Sequence, residues 1–167
     1  IETRIMTESN KDKESNTREF ALQRVYVKDI SFETPNSPAV FTAEWKPESN
    51  LNLNSNVTKL AESTYEVVVT VTVTTKVGDK TAYLVEVQQA GIFAVKGFSD
   101  KEMGHMMGAY CPNLLFPYAR EVVSDLVSKG SFPQMLLTPV NFDALYAQHL
   151  QEVQTRAQQD KDSAEGT

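Results

Sequence analysis

YEVVVTVTVTTKV, Tyr65 to Val77, is the stretch on which the fold turns. Tyr65, Val67, Val69, Val71 and Val73 fall on one face and Glu66, Val68, Thr70, Thr72 and Thr74 on the other. Such alternation of β-branched residues is the pattern of a strand with a face against a core. Gly78-Asp79-Lys80 supplies a hairpin turn, and TAYLVEVQQAGIFAVKGF, Thr81 to Phe98, returns as a long strand. Upstream, FALQRVYVKDISFE, Phe20 to Glu33, is strand-like and stops at TPNSP, where Pro35 and Pro38 interrupt pairing. VFTAEWKP (Val40 to Pro47) and LNLN (Leu51 to Asn54) predict a shorter strand in between. Four consecutive strands with short connections predict one antiparallel sheet, packed on one face and wet on the other.

At Ser99 the pattern changes. Ser99-Asp100-Lys101-Glu102 matches a capping box and predicts a helix through about Tyr110. CPNLLFPYARE, Cys111 to Glu121, follows, with Pro112 suited to a first helical turn and Pro117 further in, where it removes a hydrogen bond and crowds the preceding turn. Leu115, Ala119, Val122, Val123, Leu126 and Val127 recur at helical spacing until Gly130. Beyond a loop with Pro133 and Pro139, Asn141 is a reasonable N-cap for a last amphipathic helix carrying Phe142, Leu145, Tyr146, His149, Leu150 and Val153. Strands first and helices afterwards predict an α+β domain, a four-stranded antiparallel sheet with helices packed on one face. The folded domain is expected over residues 20–154, between polar, disordered tails at 1–19 and 155–167.

The chain has 167 residues, one domain by length, with 16 basic and 22 acidic residues and a formal charge of −6. That balance argues against nucleic acid, whose binding needs clustered Lys and Arg. A lone cysteine, Cys111, excludes an internal disulfide. With no apolar signal segment and no run long enough to span a membrane, a soluble protein of the reducing cytosol is expected.

No nucleophile and base, carboxylate pair or metal-ligand spacing emerges, so neither catalysis, metal nor cofactor is expected. His105 and His149 are far apart, and His149 beside an apolar stripe reads as an ordinary edge histidine. Cys111 before Pro112 reads as a packed thiol rather than a reactive one. Met103, Met106 and Met107, among Gly104 and Gly108, read as core before adaptable binding surface, and the GxxxG spacing would let another helix approach closely. Asp29, Ser31 and Glu33 share one face of the first strand, and Leu84, Glu86 and Gln88 one face of the last. Such carboxylates keep a sheet soluble, or offer an acidic surface to a basic partner. Val85, Val87 and Gln89, on the other face, should look toward helices or another subunit.

Four segments, RVYVKDISFETPN (Arg24 to Asn36), EVQQAGIF (Glu86 to Phe93), AYCPNLLFPYARE (Ala109 to Glu121) and PVNFDALY (Pro139 to Tyr146), together resemble the SecB family of bacterial protein-export chaperones, in order and spacing, over about Phe20 to Gln154. The resemblance implies a homotetramer, a dimer of dimers, that holds precursor proteins unfolded in the cytosol and passes them to the motor SecA without nucleotide. By matching position it implies a SecA-facing surface of Asp29, Glu33, Leu84 and Glu86. It implies tetramer assembly through Val85, Val87 and Gln89 and through the long helix with Leu115, Val122 and Leu126. Trp45, Leu51, Leu53, Tyr146 and Leu150 would line the client groove. Val85 stands where the family commonly has cysteine, Ala90 where glycine is frequent, and Ser49 where an apolar groove residue is common. The rival expectation is a SecB-like chaperone dedicated to one client, such as an antitoxin.

Overall fold

The computed structural model describes residues 17–165. The polar stretch before position 17 lies outside the described residues. Four strands, β1 (Glu19–Glu33), β2 (Pro47–Ala61), β3 (Thr64–Val77) and β4 (Lys80–Lys96), form one antiparallel sheet in the order β1-β4-β3-β2. The β3–β4 hairpin turns on Gly78 and Asp79, with Val77 paired to Lys80 and Gly78 at φ 62°, the backbone that the first central position of a tight hairpin loop requires.

The expected second strand is corrected at both ends. Ala39–Thr42 is a 3-10 turn, and pairing starts at Pro47 and runs unbroken to Lys59 opposite Tyr65. Asn50, Asn52, Asn54 and Asn56 have poor strand propensity, so the sequence hides a strand whose hydrogen bonds come from β3. Leu51, Leu53 and Val57 nonetheless alternate with these asparagines, opposite Val73, Val71 and Val67.

Helices cover one face. Ser99 closes both halves of a capping box with Glu102 at the start of α1 (Asp100–His105). The helix does not end there: a wide π turn, Met106–Tyr110, leads directly into α2 (Cys111–Lys129), and the Cys111 N–H donates to the Met106 carbonyl. Pro112 is therefore inside a continuous helical run rather than at a start. A proline ring crowds the carbonyl four residues back, and a turn wider than α moves that carbonyl away. Pro117 lies on the exposed side with Asn113, whose carbonyl it leaves without a helical donor facing water.

α2 lies on β4 and β3 through Cys111, Leu115, Ala119, Val123 and Val127, all essentially fully buried. Residues four apart form a row inclined to the helix axis, which suits the twist of a sheet. Opposite them Val67, Val69, Val71, Val85 and Val87 have no exposure. Burial pushes the Cys111 thiol up to about 12, so at neutral pH it is a packed thiol. α3 (Phe142–Glu165) begins with the Ala144 N–H donating to Asn141 Oδ1 at 3.0 Å. It runs on through Glu165, where the composition suggested a tail from residue 155. Its polar turns beyond residue 155 satisfy their own backbone bonds, and those through Lys161 are exposed.

Candidate binding surfaces

The sheet's open face brings the four acidic-surface candidates together. Asp29 sits opposite Gln88, Ser31 opposite Glu86 and Glu33 opposite Leu84, with Thr70, Thr72 and Thr74 next across β4. The Thr72 hydroxyl donates to Glu86 Oε2 at 3.0 Å. Charge is uneven here: β2 presents Asn50, Asn52, Asn54 and Asn56 to this face, with Glu48 paired to Lys76 at its end, so the carboxylates without a paired cation opposite concentrate on the β1–β4 half.

Next to them lies a group the sequence did not reveal. Glu66, 9% exposed, accepts hydrogen bonds from the Tyr26 phenol and from Lys28, whose Nζ is 2.6 Å from Glu66 Oε1. The Lys28 bond, then the Tyr26 bond, hold the Glu66 carboxyl below the usual range. Reciprocally, the bond to Glu66, with burial, pushes the Tyr26 phenol up to about 12. The partners are 38 and 40 residues apart in the chain, and only strand pairing places them side by side.

On the helix side an open apolar groove of about 430 Å³ runs between β2 and α3. Leu53 and Val57 form its sheet wall, and Leu145, Tyr146 and His149 its helix wall; Met107 and Phe142 close the base. Gly104 and Gly108 also line it, and their missing side chains make the seat of Tyr146: a Cβ on Gly104 would come 2.7 Å from the Tyr146 hydroxyl. The GxxxG spacing thus receives one aromatic ring of α3. His149, read as an edge histidine, faces this groove, and His105 Nε2 lies 2.6 Å from Asp143 Oδ1 at its rim.

Only Leu53 and Tyr146 of the five groove candidates line this space. Leu51, on the same face of β2, is 40% exposed, and Leu150, a turn beyond Tyr146, is 42% exposed. Trp45 belongs to a separate aromatic patch, stacked at 5.7 Å on Phe132, which also meets Phe41 at 5.2 Å and Tyr83 at 4.9 Å. Phe132 comes from the loop after α2, and no local pattern foretold its meeting with Trp45. At this end of the sheet Ser49 shares a 2.7 Å hydroxyl bond with Thr75.

Of the assembly candidates, Val85, Val87 and Leu115 are wholly buried inside this chain, between sheet and α2. Gln89 is also buried, its Nε2 donating to the Tyr26 carbonyl at 3.0 Å. Any influence of these four on assembly must pass through the placement of α2 and β1. Val122 and Leu126 are half-buried on α2, which also exposes Tyr118, and the π turn before it exposes Tyr110.

Among the described residues no group of three or more His, Cys, Asp or Glu could hold a metal, and no helix is long and apolar enough to cross a membrane. An open apolar groove on one side of a sheet whose other side carries exposed carboxylates is the build of a protein that binds other polypeptides, the chaperone class. The sequence profile of SecB, described as preprotein translocase subunit SecB, matches residues 13–153. A protein-export protein SecB from Methylococcus capsulatus is 60% identical over 153 residues, covering 92% of this chain and 97% of the relative. Another from Marinobacter nauticus is 56% identical over 142 residues, covering 85% and 86%. The chain belongs to the SecB family. Among solved structures, a SecB-like chaperone of Mycobacterium tuberculosis in complex with an antitoxin peptide aligns with TM-score 0.61 at 14% identity, covering 72% of this chain and 90% of that one, a likeness of fold.

Proposed function

We propose that this protein is a holding chaperone of protein export: it keeps precursor chains unfolded in the cytosol and delivers them to SecA, without nucleotide and without catalysing a bond change. The observation that carries this is the pairing of an open apolar groove with an acidic sheet face on the opposite side, in a chain of the SecB family. An unfolded client exposes aromatic and aliphatic side chains, and burying each is worth roughly 1.5 to 3 kcal/mol before ordering costs. A single groove of this openness binds weakly. In a tetramer, several grooves on one client raise avidity by about 10² to 10⁴, so a client is held firmly and still exchanges. Leu53 and Tyr146, with the patch of Trp45 and Phe132, supply the apolar contacts; Leu51 and Leu150 extend them along β2 and α3. Asp29, Glu33, Leu84 and Glu86 meet SecA. Val122 and Leu126 join the two dimers, with Val85, Val87, Gln89 and Leu115 setting the shape of that junction from within. The relatives' name, protein-export protein, supports a general export role over one reserved for an antitoxin.

Two variants test the two faces separately. Asp29→Lys with Glu33→Lys should weaken SecA binding at low salt by tenfold or so while client holding persists; unchanged affinity rules out the docking surface. Leu51→Ser with Leu53→Ser should impair suppression of client aggregation at unchanged sedimentation, and intact suppression removes these leucines from the client-binding surface.

A further inference from the structure

Strict alternation along β1 would send Lys28 and Asp29 to opposite faces. The register prevents it. Val27 pairs with Gln89 and Asp29 with Gln88, the next residue of β4, so Lys28 is the extra residue of a β-bulge and emerges on the same face as Asp29. Gln89 fixes the bulge from the core side through the Tyr26 carbonyl. A cation is thereby delivered beside the carboxylates of the acidic face. It does not stay there: Lys28 reaches over β4 to Glu66 on β3, and Tyr26 reaches the same carboxylate. The strand between them is lined at that point by Ala90, which pairs with both Tyr26 and Val68 and is fully buried although it faces outward. Glu66 is too buried to meet a partner itself. Its charge is spent on Lys28.

We infer that Glu66 is a positioning residue of the acidic face: it draws the Lys28 ammonium across β4, so that Asp29, Glu33 and Glu86 meet a basic protein surface without that ammonium beside them. This rests on the docking reading given above. Arg24, opposite Ile92, lies further down β1 and is not held in this way. An ammonium released beside Asp29 would pair with it and repel an approaching cationic partner, lowering affinity and its dependence on salt together.

The test is SecA binding across a range of salt concentrations by Glu66→Gln, by Lys28→Met with Glu66→Gln, and by Asp29→Lys with Glu33→Lys, each checked for folding by thermal melting. Glu66→Gln should weaken low-salt binding about threefold to fivefold, with the deficit shrinking as salt rises. Adding Lys28→Met should restore the original affinity. Binding unmoved by Glu66→Gln but lost in Asp29→Lys with Glu33→Lys overturns the inference alone. A deficit that Lys28→Met does not rescue overturns it too, since Glu66 would then act only on the fold. Unchanged binding in the Asp29 and Glu33 variant overturns the docking reading, and this role of Glu66 with it.

Discussion

A methyl group added to Gly108 would overlap the Tyr146 ring, and one added to Gly104 would press on its hydroxyl. Two glycines, one turn apart, therefore fix how closely α3 approaches, and with it the width of the groove. Gly108→Val should push Tyr146 out, destabilise the protein by about 1 to 3 kcal/mol and reduce client holding more than melting temperature alone accounts for. Normal holding by a variant with displaced α3 would separate the seat from the groove. Cys111 makes the opposite case: it sits beside a proline at the most distinctive motif of the chain, yet its burial and raised pKa leave it a packing residue. Residue type alone did not separate the two; the sequence suggested close approach at the glycines but not that a single tyrosine would fill the space.

At the scale of elements, β3, β4, the capping box at Ser99 and the α2 row were legible because each rests on a periodicity or a local bond. β2 is expected over Val40–Pro47 and Leu51–Asn54 but pairs over Pro47–Ala61, because SNVTKLA, Ser55 to Ala61, carries little apolar alternation and gains its strand bonds only from β3. The end of α3 was missed for a related reason: a helix without an apolar face leaves no period to read. The alignment of Asp29 with Gln88 and of Glu33 with Leu84 was half visible, as two faces, whereas the bulge that puts Lys28 beside them depends on register and leaves no mark in the sequence. The Tyr26–Glu66–Lys28 link, which ties β1 to β3 across β4, has a pH signature. Glu66, held low, contributes stability above the ordinary carboxylate range and loses it as pH falls through its lowered value. Tyr26, held high, contributes below pH 10.0 and loses that contribution as pH rises toward about 12. Denaturant titrations should thus find Glu66→Gln less stable by about 1 to 2 kcal/mol at neutral pH, with the gap closing in acid and again above pH 10; a gap that is flat with pH would break the link.

For the whole molecule, charge and apolar surface are assigned to opposite sides of one sheet. Carboxylates occupy the open face, and apolar side chains concentrate under and beside the helices. Among the described residues β1 and β2 are the edges of the sheet, and β1 exposes Leu22, Val27 and Ile30, while the π turn exposes Tyr110 and α2 exposes Tyr118. Surface of this kind suits association of copies more than life as a monomer. Native mass measurement should give a species near four times the chain mass, and Val122→Asp with Leu126→Asp should reduce it to half. A monomer at micromolar concentration would remove the multivalent account of client holding.

The π turn at Met106–Tyr110 carries one residue more than an α turn closing the same gap. One residue is about 100° of helical phase. That increment sets the angular offset between two surfaces on a single helical run: the glycine seat turned toward α3, and the row from Cys111 to Val127 turned toward the sheet. Deleting one residue there would regularise the helix yet bring the two out of phase, and the larger buried row would win. Such a deletant should keep a cooperative core and lose the ordered packing of α3, so groove and scaffold are separable by a single codon.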